Sequence, residues 1–219
     1  MSSDNSFSRW SEALAPSVLK ALQSRKFEAY YCNTGEEAAE KAISLIPDGS
    51  SVAYGGSVTV QEIDLIDRIR KGDYKLIDRD SAKTADERFE IMRRSLLSDV
   101  YITSVNALSE DGQLVNVDGI GNRVAAMTFG PKNVIVIVGM NKICRTVEDA
   151  VVRARTYAAP LNTQRISALG TPLQTPCVKT GSCADCKSDG CICSYIVTTR
   201  MSKVAGRIKI ILVGQSLGY

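Results

Sequence analysis

The 219-residue chain contains no histidine. Without an imidazole, Ser-His-Asp and Cys-His nucleophile systems are excluded, and so is every His-ligated metal site. Any metal would have to be held by sulfur or oxygen. Long hydrophobic runs are also missing. The longest apolar stretch, Val134 to Met140, falls far short of the roughly 20 residues that a membrane-spanning helix requires. The opening Met1-Ser-Ser-Asp-Asn-Ser has neither the basic nor the apolar region of a secretory signal, so a cytoplasmic protein with no membrane partner is expected. Nor is there an excess of one charge. The 27 Lys and Arg against 24 Asp and Glu leave +3, with no basic run and no basic stripe interleaved with aromatics, which argues against a nucleic-acid partner.

What remains is ordinary globular material, 44% hydrophobic and 23% charged, in a length that one α/β domain spanning 1–219 commonly fills. In the first 26 residues Phe7, Trp10, Leu14, Val18 and Leu22 recur at helical spacing, predicting an outer amphipathic helix that Pro16 weakens or breaks. Residues 27–32 read as a strand, and Thr34-Gly-Glu-Glu37 as a capping box opening a helix to about Ile46. The unit repeats. Ser51 to Tyr54 is a strand, Gly55-Gly56 a turn, and Thr59-Val-Gln-Glu62 a second capping box before a helix bearing Ile63, Ile66 and Ile69. Further along come a helix at 86–97, a strand at 100–103, a hairpin around Glu110-Asp-Gly112 and a short helix at 121–127. A strongly apolar strand at 133–138, a helix at 146–159, a loop-like segment at 160–193 and a core strand at 208–213 complete the chain. Strands alternating with helices, without strict polar alternation, imply a mostly parallel sheet covered on both faces, with ligands beyond the carboxyl ends of its strands.

Two glycine-rich strand exits therefore stand out. Gly55-Gly56-Ser57-Val-Thr59 would bring bare backbone and hydroxyls to a helix start, suited to a phosphate or carboxylate, or would serve only as a tight turn with Ser57 and Thr59 as caps. The run from Asn106 through Asp118-Gly119-Ile-Gly121-Asn122-Arg123 concentrates turn formers and one cation before a helix. Arg123 could grip an anion bidentately, or the run could be ordinary β-turns beside a surface cation. In the absence of His, proton transfer would fall to Glu62, Asp111, Asp118 or Lys142. For Glu62 a capping role with Thr59 suffices, and none of the four has a paired carboxylate, so the catalytic residues stay unassigned.

Five of the seven cysteines, Cys177, Cys183, Cys186, Cys191 and Cys193, crowd one window at 177–193. In a reducing compartment such a loop more often binds metal than forms disulfides, and its one Cys-x2-Cys lets two thiolates grip the same centre. Lys179 and Lys187 are expected to lower the thiol pKa values. By count alone the set suits zinc or an iron–sulfur cluster, with free or redox-active thiols as the remaining reading. Cys32 and Cys144 are expected to be small core residues.

Gly55-Gly56-Ser57-Val-Thr59, the run Ile102-Thr-Ser-Val-Asn106-Ala through Asp118-Gly-Ile-Gly-Asn-Arg123-Val-Ala-Ala, Gly139-Met-Asn141-Lys142-Ile and the tail from Gly206 to Tyr219 resemble the LUD, or lactate-utilisation, domain proteins (formerly DUF162). The resemblance implies a three-layer αβα fold similar to the ribose-phosphate isomerase, glucosamine-phosphate deaminase and CoA-transferase group. It also implies a small anionic metabolite as ligand, at Gly55, Gly56, Ser57, Thr59, Asn106, Asp118, Gly119, Gly121, Asn122 and Arg123. Ile120 departs from the Thr expected in that motif, removing a ligand-facing hydroxyl. The matching metal positions are Cys177, Cys183, Cys186 and Cys193, with Cys191 an extra, and the implied cofactor is a [4Fe-4S] cluster, with Zn as the alternative. The function so implied is electron transfer in lactate or hydroxy-acid oxidation beside iron–sulfur redox partner proteins. A stand-alone phosphosugar or CoA-ester enzyme and a zinc-stabilised binding module remain alternatives, and a homo-oligomer is compatible with either.

Overall fold

In the computed structural model, which describes residues 5–170 and 172–219, six parallel strands form the central sheet. These are β1 (Glu28–Cys32), β2 (Ser51–Tyr54), β3 (Lys75–Ile77), β4 (Val100–Ser104), β7 (Asn133–Gly139) and β10 (Ile208–Val213), in the order β1-β10-β7-β4-β2-β3. The central strands β4, β7 and β10 are rich in Val and Ile because both faces are covered, so no polar face interrupts them. On one face Val52, Val100, Ile102, Ile135, Ile137, Ile211 and Val213 pack on α2 (Gly35–Ser44) and α4 (Leu65–Lys71) through Ala38, Ala39, Ala42, Leu65 and Ile69. On the other face Val134, Val136, Val138, Ile210 and Leu212 pack on Val18 and Leu22 of α1 (Ser6–Ser24). Ala53 and Tyr101 on that same face meet Ala126 of α6 (Asn122–Thr128) and Leu96 at the end of α5 (Ala85–Ser95). Each fully buried Val, Leu or Ile contributes about 1.5–3 kcal/mol relative to exposure.

A second, four-stranded sheet in the order β8-β5-β6-β9 flanks the first. It contains the expected hairpin, β5 (Ala107–Ser109) with β6 (Leu114–Asp118), turned by Gly112 at φ +87. To this are added β8 (Ile143–Cys144) and β9 (Tyr195–Thr199). Helix α7 (Val147–Arg153) starts at a capping box formed by Thr146 and Asp149 and packs on this sheet through Ala150.

Several sequence-based expectations need correction. Pro16 does not break α1, and the buried face is Ser11, Ala15, Val18 and Leu22, leaving Phe7 and Trp10 largely in solvent. The missing N–H of an exposed proline is tolerated because the apolar stripe on either side of it is already anchored. Thr59 and Glu62 form no capping box. Ser57 caps the short helix α3 (Val58–Glu62), its Oγ accepting from the Val60 amide at 3.3 Å, and Thr59 points inward. The helix then stops, and α4 restarts after Asp64 at φ +51. The segment 160–193 is only partly loop. The helix begun at Thr146 continues through a π-helical turn (Ala154–Ala158) into α8 (Ala159–Ala168), and α9 (Pro176–Thr180) follows. Pro160 lies inside this continuous helix just past the π-helical turn, where the regular i→i−4 ladder is already interrupted.

Candidate functional site

The carboxyl ends of β2, β3, β4 and β7 converge on one cleft of about 370 Å³, which the end of β6 and a face of α8 close. Lining it are Gly56, Ser57 and Thr59 after β2, Arg79 after β3, Ser104, Val105 and Asn106 at the end of β4, and Lys142 after β7. Asp118, Gly119, Asn122 and Arg123 come from the second glycine-rich run, and Asn162 and Arg165 from α8. Most of the sequence-derived ligand residues are thus brought together.

Gly55 and Gly121 stand just behind the wall. The Gly55 amide donates to the Ile102 carbonyl at 2.9 Å, and a Cβ at this position would come within 3.0 Å of the Tyr101 hydroxyl, so close approach explains the glycine. Gly121, at φ +82, begins α6. Glu62 does not line the cleft; its carboxylate accepts from the Gly218 amide at 2.7 Å. Asp111 lies at the hairpin, paired with Arg25 at 2.5 Å.

Arg123 has a different setting from a free anion clamp. Its Nε donates to Asp118 at 3.3 Å, one terminal nitrogen to the Ser104 carbonyl at 3.4 Å, and the other to Asn106 Oδ1 at 3.1 Å and the Val117 carbonyl at 2.5 Å. With most of its five N–H groups engaged, it ties β4, β6 and α6 together. Asp118 Oδ1 also accepts from the Gly121 amide at 3.2 Å, closing the loop. The positive field of the cleft comes instead from residues that sequence reasoning passed over, Arg79, Arg88 and Arg165. Among the described residues Arg165 bonds only the neutral Asn162 Oδ1, at 2.9 and 3.1 Å, and Arg88 reaches Asp80 at 2.9 Å. Arg79 lies over Gly56, 3.6 Å from Asp80, and among the described residues its Nε has no hydrogen-bond partner.

Lys142 is the most unusual group. Only 3% exposed, it donates from Nζ to Thr59 Oγ1 at 2.7 Å, Ser104 Oγ at 3.0 Å and the Val105 carbonyl at 3.1 Å. All three acceptors are uncharged. Burial, reinforced by Arg153 and Arg123 and opposed by Glu62, lowers its pKa to about 7.

Behind α8 lies a smaller, more enclosed cavity of about 50 Å³ lined by Cys177, Cys183, Cys186, Cys191 and Cys193. Cys32, by contrast, is in the core against α2, and Cys144 is half-buried beneath α7, as expected for small core residues. Burial pushes both of their thiols up. In the five-cysteine loop Thr175 Oγ1 lies 3.2 Å from Cys177 Sγ, and the Cys193 amide donates to Cys191 Sγ at 3.4 Å. At Cys186 and Cys193 the shifts have causes other than the expected Lys179 and Lys187. A hydrogen bond from Ser188 lowers Cys186. Burial first, then Cys191, Cys183 and Cys177, push Cys193 up to about 12. As a donor set, five sulfurs lining one cavity suit a thiophilic metal. Among the described residues no three Cys, Asp or Glu side chains stand in an ion-binding arrangement, so binding would require the sulfurs to draw inward.

The two cavities share walls. Ile192, between Cys191 and Cys193, lines both, and its backbone lies 3.5 Å from where a Cβ on Gly119 would stand. The continuous helix serves both as well. Ala158, Asn162, Arg165 and Ile166 face the cationic cleft, whereas Arg155, Ala159 and Thr163 face the thiols. The π-helical turn inserts its extra residue where this division begins, a feature frequent at functional sites.

The fold and cleft define a mixed α/β protein with a parallel sheet, helices on both faces and a cationic pocket at the strand exits. The LUD domain model matches residues 16–213, and the chain belongs to that family. Among solved structures it is similar to a DUF162 family protein from Deinococcus radiodurans, with 13% identity over 92% of this chain and 97% of that one and a TM-score of 0.52, a likeness of fold. It is also similar to eIF2B delta from Chaetomium thermophilum, with 16% identity over 65% of this chain and 55% of that one and a TM-score of 0.34. No curated protein matches. Among the described residues no helix is long and apolar enough to cross a membrane.

Proposed function

We propose that this LUD-domain protein binds a small carboxylate metabolite of the hydroxy-acid class in its cationic cleft and carries a Cys-ligated [4Fe-4S] centre in the adjoining thiol cavity, serving electron transfer in lactate or hydroxy-acid oxidation. The observation that carries this reading is the shared wall, in which one residue, Ile192, and one helix divide the thiols from the cleft. Cys177, Cys183, Cys186 and Cys193 would hold the cluster, with Cys191 beside them. When bound, the cluster supplies a one-electron relay. The chain's own part is to bind and orient. Arg79, Arg88 and Arg165 attract the carboxylate, Asn106, Asp118 and Arg123 fix the loop that shapes the cleft, and α8 separates it from the cysteines. The family's association with lactate utilisation and the cation-lined cleft support this reading together. The αβα layering, with the cleft at the strand exits, is also the basis for assigning the fold to the ribose-phosphate isomerase, glucosamine-phosphate deaminase and CoA-transferase group.

Anaerobic purification, with iron, sulfide and zinc analysis and visible absorption before and after dithionite, tests the centre. Iron and sulfide in near-equal amounts with a bleachable band are expected. Zinc alone would eliminate the relay and leave a zinc-stabilised binding module. Calorimetric titration with lactate, phosphate esters and CoA esters tests the ligand, and a preference for sugar phosphates or CoA would overturn the hydroxy-acid assignment.

A further inference from the structure

Lys142 is buried at the floor of the cleft without a carboxylate partner within salt-bridge distance among the described residues. A buried ammonium with no counter-ion is costly, and the usual resolution is a neutral amine. The surroundings accommodate that form. A neutral amine has two N–H groups and one lone pair; the Val105 carbonyl takes one N–H, one of the Thr59 and Ser104 hydroxyls takes the other, and the second hydroxyl can donate to the nitrogen. Thr59 has the Leu217 carbonyl as an alternative acceptor at 3.3 Å, and Ser104 lies 3.4 Å from Thr59, so both hydroxyls can reorient. Thr59, Ser104, Val105 and Lys142 all line the same cleft as Arg79, Arg88 and Arg165. Desolvation and neighbouring cations, here Arg153 and Arg123, are the two circumstances that turn a lysine into a nucleophile.

We propose that Lys142 is a covalent nucleophile that forms an imine with small anionic carbonyl compounds, 2-oxo acids above all, whose carboxylate the cleft arginines hold. The inference rests on the anionic-metabolite reading of the cleft and deepens it, because a 2-oxo acid is the oxidised counterpart of a 2-hydroxy acid. In the step itself the Nζ lone pair adds to the carbonyl carbon. The two amine protons pass through the Thr59 and Ser104 hydroxyls to the carbonyl oxygen, which leaves as water, and a C=N bond remains. No electrons are gained or lost, so the step requires no oxidant or reductant.

The test is to incubate the full chain with pyruvate and sodium cyanoborohydride at pH 7, then locate the reduced adduct by intact mass and peptide mapping, with pyruvate affinity measured separately by calorimetry. With a pKa of about 7 against the ordinary 10.5, Lys142 carries on the order of 10³-fold more neutral amine at pH 7 than a solvent-exposed lysine. The expected result is one adduct at Lys142, favoured over every other lysine by roughly tenfold or more, and lost in Lys142→Met. Pyruvate binding with no adduct at Lys142, or with label spread evenly over exposed lysines, would overturn the imine while leaving the anionic-metabolite reading intact. Absence of both pyruvate and lactate binding would sink that reading and this one with it. Mapping on the unaltered chain decides the matter even if Lys142→Met does not fold.

Discussion

Arg123 and Arg165 line the same cleft but play opposite parts. Arg123 is 15% exposed and bonded to Asp118, which is itself only 8% exposed, together with three oxygens of β4, β6 and their connection. Removing its charge strands a buried carboxylate, so Arg123→Ala is expected to lower unfolding stability by about 3 kcal/mol, measured as a drop in the urea midpoint. Among the described residues Arg165 answers only to a neutral amide. Arg165→Ala should leave stability within about 0.5 kcal/mol yet weaken carboxylate binding roughly tenfold or more, the worth of one charge-assisted hydrogen bond. If Arg165→Ala unfolds the protein, or binds carboxylates unchanged, the division of labour is wrong. Lys142 gives a pH signature. Its folded pKa, about 7, lies below the unfolded 10.5, so between these values the unfolded chain binds more protons and stability rises with pH. Burial drives the shift, Arg153 and Arg123 add to it, Glu62 opposes it, and Thr59, Ser104 and Val105 are uncharged. The stability of the native chain relative to Lys142→Met should therefore climb from pH 7 to pH 10, by at most about 1.4 kcal/mol per pH unit. Equilibrium urea titrations across that range measure it, and a flat or falling difference would contradict a depressed amine.

Among the elements, those with strong periodicity or apolar density were legible from the residues: β4, β7, β10, α2, α5 and the β5–β6 hairpin all fall where pattern and turn chemistry put them. Those decided by tertiary packing were not. β3 has three residues and an exposed first position, so nothing local marks it, and with its exit unseen Arg79 was missed. Arg165 was lost for a related reason, since Pro160 suggests the end of a helix, whereas the π-helical turn carries the chain past it into α8. Thr59 matched a capping pattern, but the free amides of α3 are served by Ser57, and the threonine is drawn inward by Lys142. α1 offers an element-scale prediction. Pro16 is exposed in the middle of a helix otherwise intact from Ser6 to Ser24. Pro16→Ala restores one backbone hydrogen bond without removing a buried contact, and should raise stability by about 1–2 kcal/mol once the greater freedom of the unfolded chain is subtracted. A fall in the melting temperature would mean that Pro16 supports α1 in some way its exposure does not reveal.

At the scale of the whole molecule, the cationic cleft and the cysteine loop could be anticipated as separate features but not as neighbours. Sequence spacing relates Cys191 to Cys193, whereas only the folded chain sets Ile192 against Gly119 and wraps α8 between the two cavities. Because a metal would join α9, the loop around Cys183 and Cys186 and the approach to β9, its binding should protect the whole of residues 176–199. At a metal concentration a hundredfold above the dissociation constant, the folded state should gain about 2.7 kcal/mol, lost in Cys193→Ser, as differential scanning calorimetry under anaerobic conditions can measure. The sheet order carries one more consequence. β10 is inserted between β1 and β7, so among the described residues β1 has no sheet partner until residues 208–213 have been synthesised. On the ribosome β1 must wait for residues 208–213 to emerge. A chain stalled before that point should expose Tyr30 and Tyr31 to proteases and chaperones, and β1 should gain protection only once residues 208–213 are free to pair with it.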